Sequence, residues 1–305
     1  MTKHRPIFLL VDGNAIVHRA FHALPPTLTD KQGNPTNAVF GFGRILLASI
    51  KQFHPEYITV AFDVAGPTHR DKLYAEYKAK RVKAPQSLYD QIPVIQGFLD
   101  CLEIPHFGIS GYEADDVIGT LTHRIQDELS SVETIILTGD NDTLQLINQH
   151  TKVALPQRGI QPPQVYDANA VMGKYGLTPK QIIDFKALRG DASDNIPGVS
   201  GIGEKTAVAL LKEYKTLAAV YQNIEQITPA GVRDKLIHGQ DSAYLSQELA
   251  TIDTKVPLDF KLHRAKVADY DRVKAEKWLE AIGIVSLIKQ LPDSHRSNGD
   301  QTALF

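Results

Sequence analysis

Three carboxylates fall within four positions at Glu113, Asp115 and Asp116, immediately ahead of the apolar Val117, Ile118 and Leu121. Two arrangements make such crowding tolerable. A helix N-terminus favours acidic side chains by roughly 0.3–1 kcal/mol each through its exposed N–H groups and dipole. A bound divalent cation turns mutual repulsion into shared coordination. Taken alone the stretch favours helix capping, because acidic first turns are common. Further acids enlarge the set: Asp12, Asp63, Asp140 and Asp142 each follow an apolar run, and Asp191 and Asp194 share a later loop. Oxygen donors select hard cations such as magnesium or manganese. Several carboxylates together suit a cation pair, which stabilises both attacking and leaving oxygens in an in-line phosphodiester displacement. The 11 histidines are scattered and no His or Cys pair has zinc spacing, which argues against a zinc hydrolase.

The elements that position these acids follow from hydrophobic runs. Residues 7–11 (Ile-Phe-Leu-Leu-Val) stop at Asp12, residues 57–62 at Asp63, and residues 134–137 lead through Thr138 and Gly139 to Asp140 and Asp142. Continuous apolar runs mark buried parallel strands. Helical patterns lie between them at 42–53 and 88–102, implying right-handed crossovers in an α/β fold with a mostly parallel sheet and flanking helices. Ligands of such sheets collect beyond the carboxyl ends of the strands, so Asp12, Asp63, Asp140 and Asp142 should converge. Residues 111–116 open a helix after a short strand near 104–107 and belong at the same edge. Singly, each aspartate is better read as a turn former or cap. Together at one sheet edge they favour the clustered reading.

With 305 residues, 43% hydrophobic and 22% charged, the chain has the composition of a soluble globular protein of one large or two unequal domains. Its single cysteine, Cys101, cannot form an intramolecular disulfide and reads as a small buried hydrophobe. No apolar run approaches the length of a signal-peptide core or a membrane span, so the reading is cytoplasmic with no membrane partner. The net charge of −2 conceals a basic stretch, residues 69–83 with net +4, and an acidic one, residues 111–142 with net −7. That pairing suits a polyanion handled over a metal site. Arg70 belongs to the basic stretch and is a candidate phosphate contact. Tyr74, Tyr77, Lys78 and Arg81 recur at helical spacing, and such a face could stack bases and grip phosphates of a single strand. A solvated amphipathic helix with inward tyrosines fits the same spacing equally well.

From about 156 onward the patterns are short and helical. A helix beginning at Thr178-Pro179 ends at Arg189-Gly190. After the Asp191–Asp194 loop, a glycine-rich turn with Gly198, Gly201, Gly203 and Lys205 opens another helix. That turn can present N–H groups to a phosphate or simply join two helices. It is no nucleotide P-loop, because Glu204 stands where the lysine should be. Residues 255–270 are ambiguous, 271–291 helical, and 292–305 read as a flexible tail. The expected division is a core at 1–172, a helical domain at 173–291 and the tail.

These motifs, above all Leu137-Thr138-Gly139-Asp140 and residues 190–205, resemble the 5′ nuclease (flap endonuclease) family, on the branch of the 5′ to 3′ exonuclease domains of bacterial DNA polymerases. The resemblance runs from about Phe8 to Leu291. It implies a PIN-like core followed by a helix-hairpin-helix type (SAM-like) domain that grips duplex DNA. By position, one metal group would use Asp12, Asp63, Glu113 and Asp115 and the other Asp115, Asp140, Asp142 and Asp194, with Asp116 and Asp191 acting through water. Residues 66–92 would form the helical arch that admits a single-stranded 5′ end, where Tyr77 contacts DNA and Lys78 and Arg81 neutralise the scissile phosphate. Arg19 matches a DNA-contacting position, and the Gly198–Lys205 hairpin in relatives also holds a potassium ion. Asn141 stands where relatives usually carry lysine.

The implied activity is metal-dependent cutting of DNA flaps, nicks and RNA primer ends by a monomer, either free-standing or part of a longer polymerase. Gln301, Thr302, Ala303, Leu304 and Phe305 resemble the short motif that binds the bacterial sliding clamp. A PIN-type ribonuclease and a non-catalytic DNA-binding module remain as alternatives. An aspartyl phosphatase is weakened because Asp12-Gly13-Asn14 lacks a second aspartate.

Overall fold

The computed structural model describes residues 5–129, 131–157, 162–267 and 270–294. Six strands, β1 (Ile7–Asp12), β2 (Tyr57–Ala61), β3 (His106–Phe107), β4 (Glu133–Leu137), β5 (Thr151–Leu155) and β6 (Gln164–Tyr166), form one sheet in the order β3-β2-β1-β4-β5-β6. All neighbours are parallel except β5 and β6. The apolar run of β1 is continuous because both its faces are covered. Leu9 and Val11 face one core with Phe42, Leu46 and Phe98, and Phe8 and Leu10 face the other with Val117, Leu121 and Ile136. β2 and β3 extend the sheet on one side of β1, β4 and β5 on the other. Strand order thus reverses at the β1/β4 boundary, a switch point that in sheets of this kind opens a crevice past the strand ends. The fold class is therefore the one anticipated.

Helices Asn37–Phe53 and Ile92–Cys101 cover the first face, and helix Ala114–Glu128 the second. Helix Gly13–Ala23 leaves β1 so close to β2 that a Cβ on Gly13 would lie 2.4 Å from the Phe62 ring and 2.8 Å from the Ala61 carbonyl oxygen. Cys101 is buried, as expected. No helix among the described residues is long and apolar enough to cross a membrane.

The second lobe is helical. Helices Gln181–Arg189, Glu204–Tyr214, Leu217–Gln222, Ala230–His238 and Gln240–Ala250 surround a core of Leu188, Leu211, Leu217, Val220 and Leu236. Residues within the expected 173–291 domain contribute to more than one core. Ile252, Val256 and Leu258 return to the β-sheet core, and Tyr270, Leu279, Leu287 and Leu291 complete the opposite face beside Phe98. The Trp278 ring stacks on Phe98 at 5.7 Å.

The arch segment also differs. Only His69–Leu73 and Gln86–Tyr89 are helical, and residues 74–80 run through turns with Lys78 at φ +53°. The spacing of Tyr74, Tyr77, Lys78 and Arg81 arises from successive turns, which bring side chains back at three- and four-residue intervals as a helix would. The clamp-like residues 301–305 lie outside the described residues.

Candidate active site: acids at the sheet edge interleaved with three cations

Asp12 closes β1 and caps the following helix, accepting the Ala15 N–H at 2.9 Å through one oxygen and the Thr138 hydroxyl at 2.6 Å through the other. Thr138, fully buried just past β4, also accepts the Asp140 N–H at 3.0 Å. One hydroxyl therefore ties the end of β1 to the acidic turn after β4 across the crevice. Asp140 in turn accepts the Asp142 N–H at 2.8 Å. Asp63, beyond β2, accepts the Ala114 N–H at 2.7 Å, which docks the N-terminus of helix Ala114–Glu128 onto the same edge. The helix-cap reading of residues 113–116 thus describes their geometry, with Glu113 as the capping residue.

Asp115, the second residue of that helix, accepts no hydrogen bond among the described residues. Burial, reinforced by Asp140, Asp12 and Asp142, raises its carboxyl well above the usual range. Burial, with Asp63 and Asp140, pushes Asp12 up to about 7 despite its two hydrogen bonds. Burial and Asp140 push Asp142 up to about 7 against the pull of Lys186. These are acids short of positive charge.

Three cations stand among them, and a fourth, Arg70, touches their edge at 3.7 Å from Glu113. Lys78 Nζ donates to Glu113 at 2.7 Å and lies 4.0 Å from Asp194. Arg81 pairs with Asp194. Lys186 pairs with both Asp142 and Asp191, at 2.6 Å from the latter. Burial would raise Asp191, but Lys186 and two bonds from Ser193 hold it down at about 2. With the cations so placed, no three acidic, His or Cys side chains among the described residues stand ready to share one ion. The chemistry of the donors nevertheless fits hard divalent cations: every candidate is a carboxylate oxygen, and Asp12, Asp115 and Asp142 are all raised by burial and by the charge of Asp140.

Two expected site residues are engaged elsewhere. Asp116 is fully buried behind Arg70, whose guanidinium also lies 3.7 Å from Glu113. The Asp116 oxygens accept two bonds of 2.8 Å from Arg70 and the N–H groups of Glu113 and Asp253 at 3.0 and 2.9 Å. Arg70, expected on a DNA-facing surface, is 3% exposed and also donates to the Leu249 and Thr251 carbonyls. A buried guanidinium needs that full set of acceptors, so the pair joins the lobes instead of meeting solvent. Tyr77 is likewise buried, its ring with Ile196 and Leu249 and its hydroxyl donating to Glu113 and Asp194 at 3.3 and 3.4 Å. Its ring is not free to stack a base.

Arg19 donates to the Gln157 carbonyl. Asn141 accepts the Tyr175 hydroxyl at 3.3 Å. The glycine turn lies on the second lobe, with Gly201 and Lys205 exposed and Gly203 opening helix Glu204–Tyr214. Gly198 has φ +62° and packs so closely on Gly190 that a Cβ would sit 2.2 Å from its nitrogen. Two residues that hold the acids in place were not singled out as site candidates from the sequence. Lys186 lies in an otherwise apolar stretch, between Phe185 and Ala187-Leu188, where an unpaired lysine would be costly; that was the available signal. Thr138 ends an apolar strand next to aspartate and could have been noted for the same reason.

The raised acids give a pH dependence. As pH climbs from 3.8 toward 7, the unfolded chain releases protons that Asp12 and Asp142 retain when folded. Stability therefore falls across that window. The depressed Asp191 acts only below it, between about 2 and 3.8. In chelator, the melting temperature is expected to drop from about pH 4 to about pH 7, and Asp12→Asn to flatten that slope. An identical slope in the variant would contradict the placement of Asp12.

Two family descriptions match the chain: "5′-3′ exonuclease, N-terminal resolvase-like domain" over residues 7–176 and "5′-3′ exonuclease, C-terminal SAM fold" over residues 177–273. Among curated proteins, DNA polymerase I of Chloroflexus aurantiacus is 46% identical over 294 residues, covering 94% of this chain and 31% of that protein. DNA polymerase I of Bacillus subtilis is 39% identical over 303 residues, covering 99% and 34%. The chain thus spans about a third of the length of these relatives. Among solved structures, T5 5′-exonuclease with bound zinc aligns with a TM-score of 0.63 at 19% identity over 93% of this chain and 96% of that one. The catalytic core of Rad2 in complex with DNA substrate aligns at 0.59 and 17% over 94% and 90%. Likeness at those identities speaks to the fold.

Proposed function

The chain belongs to the 5′-3′ exonuclease family, and from that premise we propose that it hydrolyses phosphodiesters at 5′ ends, nicks and 5′ flaps of DNA, RNA primers included. The observation that carries this reading is the gathering of mutually repelling acids at the β1/β4 crevice, opposite cations on a separate loop. Asp12, Asp63, Glu113 and Asp115 would hold one divalent cation, and Asp115, Asp140, Asp142 and Asp194 a second, with Asp191 outside them on Lys186. Magnesium or manganese, when bound, supplies neutralisation of the phosphate and eases deprotonation of the attacking water.

The chain's own cations have a different task. Lys78 and Arg81, now paired with Glu113 and Asp194, would turn to the scissile phosphate once those acids engage metal, neutralising the charge that develops as water adds and the 3′ oxygen leaves. Products would be a 3′-hydroxyl and a 5′-phosphate. Arg19 and the hairpin with Gly198, Gly201, Gly203 and Lys205 would bind the duplex backbone, with Lys205 and open N–H groups toward phosphate and a potassium ion at the turn. The reading includes a cytoplasmic monomer, and a sliding-clamp contact through the C-terminal residues, which loss of clamp affinity on deleting 301–305 would support.

An end-labelled 5′-flap duplex tests it. Cleavage near the junction is expected with magnesium and none in excess chelator. Undiminished cleavage in chelator would overturn the metal assignment, and preferential cutting of structured RNA would turn the reading to a ribonuclease.

A further inference from the structure

The turns that carry Lys78 and Arg81 are anchored at both ends to the second lobe. Upstream, Arg70 reaches the C-terminal end of helix Gln240–Ala250 through the Leu249 carbonyl at 2.9 Å. Downstream, residues 76–78 lie against the loop that precedes the glycine hairpin. The Lys78 N–H donates to the Asp194 carbonyl at 2.9 Å, and the Asn195 side-chain amide donates to the Glu76 carbonyl at 2.8 Å. Tyr77, between these two bonds, is buried on Ile196.

Asn195 adopts φ +56°, a left-handed conformation that asparagine tolerates better than most side chains. Glycine would accept the same backbone but could not reach Glu76. A short stiff path leads on from Asn195. Ile196 pairs with Asp191 through backbone bonds of 2.8 and 2.9 Å, and the Gly198 N–H is held by Ser246 at 2.9 Å where its backbone packs on Gly190. The Val199 N–H then bonds the Leu188 carbonyl at 2.9 Å. A displacement of the hairpin would therefore pass to residues 194–196, and from there to the cationic loop through the Asn195 amide and the Lys78 and Tyr77 contacts.

We propose that Asn195 is a positioning residue whose amide couples the loop bearing Lys78 and Arg81 to the duplex-binding hairpin, so that seating a duplex sets the cations over the crevice. The proposal rests on the nuclease reading above for the meaning of that coupling, while the tether itself can be measured without nuclease activity. The Asn195 amide meets the loop at a backbone carbonyl, that of Glu76, beside the Lys78 N–H bond to Asp194, the Tyr77 ring on Ile196 and the Arg81–Asp194 pair.

The test uses the full chain with Asn195→Gly, which keeps the backbone conformation and removes the amide, and Asn195→Asp, which keeps the shape and removes the donor. Amide hydrogen exchange across residues 74–81, measured without metal or DNA, is expected to quicken about fivefold in both variants, the effect of one neutral hydrogen bond on a local opening. Exchange in the β-sheet should stay unchanged. Single-turnover flap cleavage at saturating DNA should fall by about the same factor while duplex affinity holds within about twofold, a loss in kcat and not in KM. Unchanged exchange at 74–81 in both variants, or equal quickening throughout the chain, would overturn the proposal. If the wild-type chain cleaves no flap, the nuclease reading fails and the exchange result still decides the tether.

Discussion

Asp115→Asn is expected to slow 5′-flap cleavage by roughly a thousandfold or more, beyond the roughly 10- to 100-fold typical of losing an outer partner of a metal ligand, while flap DNA still binds. Asp115 is the cleanest position for this experiment. Asp12 caps a helix and holds Thr138, and Asp140 accepts the Asp142 N–H. Substitution at either disturbs local structure as well as charge. Asp115 accepts no hydrogen bond among the described residues, and Asp140, Asp12 and Asp142 all act on it. Its amide variant removes the shared charge and little else. In chelator it should therefore melt at or above the wild-type temperature, because a buried repulsion is gone. The rise in melting temperature on adding magnesium should shrink, since that rise reports binding to the folded state. Wild-type cleavage with an undiminished magnesium response would remove Asp115 from the metal site.

Arg70→Ala is expected to cost about 3–5 kcal/mol of stability, the range for breaking one partner of a buried ion pair. Asp116 would be left charged, fully buried and without its two guanidinium bonds. The Leu249 and Thr251 carbonyls would lose their donor and loosen the junction of the two lobes. Lysine should rescue little, because it cannot match two carboxylate oxygens and two carbonyls at once. Replacing both members, as Arg70→Met with Asp116→Leu, should not restore stability, because the Glu113 and Asp253 N–H groups lose their acceptor and the Leu249 and Thr251 carbonyls their donor. The salt dependence of DNA binding separates this from a phosphate contact, which would lower the slope of log K against log salt by about one. An unchanged melting temperature with a reduced slope would return Arg70 to the DNA interface.

Arg70 shows where the sequence was opaque. A cation amid other cations carries no mark of burial, and its partner Asp116 lay in a run of acids with an attractive alternative use. The strand ends were legible because a parallel sheet forces its strands to finish at one edge, so apolar runs ending on Asp12 and Asp63 already implied convergence. The short outer strands β5 and β6 lacked runs long enough to declare themselves. Lys186 was hidden because its partner Asp142 lies 44 positions upstream, and a lysine in a helix looks like any other until the neighbouring element is in place. Tyr77 and Lys78 misled through spacing, since turns return side chains at helical intervals. Apolar residues beyond 251 announced burial without saying in which core.

That last group has a consequence for the order in which the molecule is made. Leu287 presses so close to helix Asn37–Phe53 that a Cβ on Gly43 would lie 2.6 Å from its methyl group. Leu279 and Leu291 close the same face of the sheet. On a ribosome adding about 5–20 residues per second, the face formed by the first fifty residues must wait tens of seconds, by that rate, for its covering strip to emerge. During that interval Phe42 and Leu46 are without Leu287 and its neighbours, and their apolar surface stays uncovered. A fragment ending near residue 176 would hold that unfinished state permanently and is expected to aggregate.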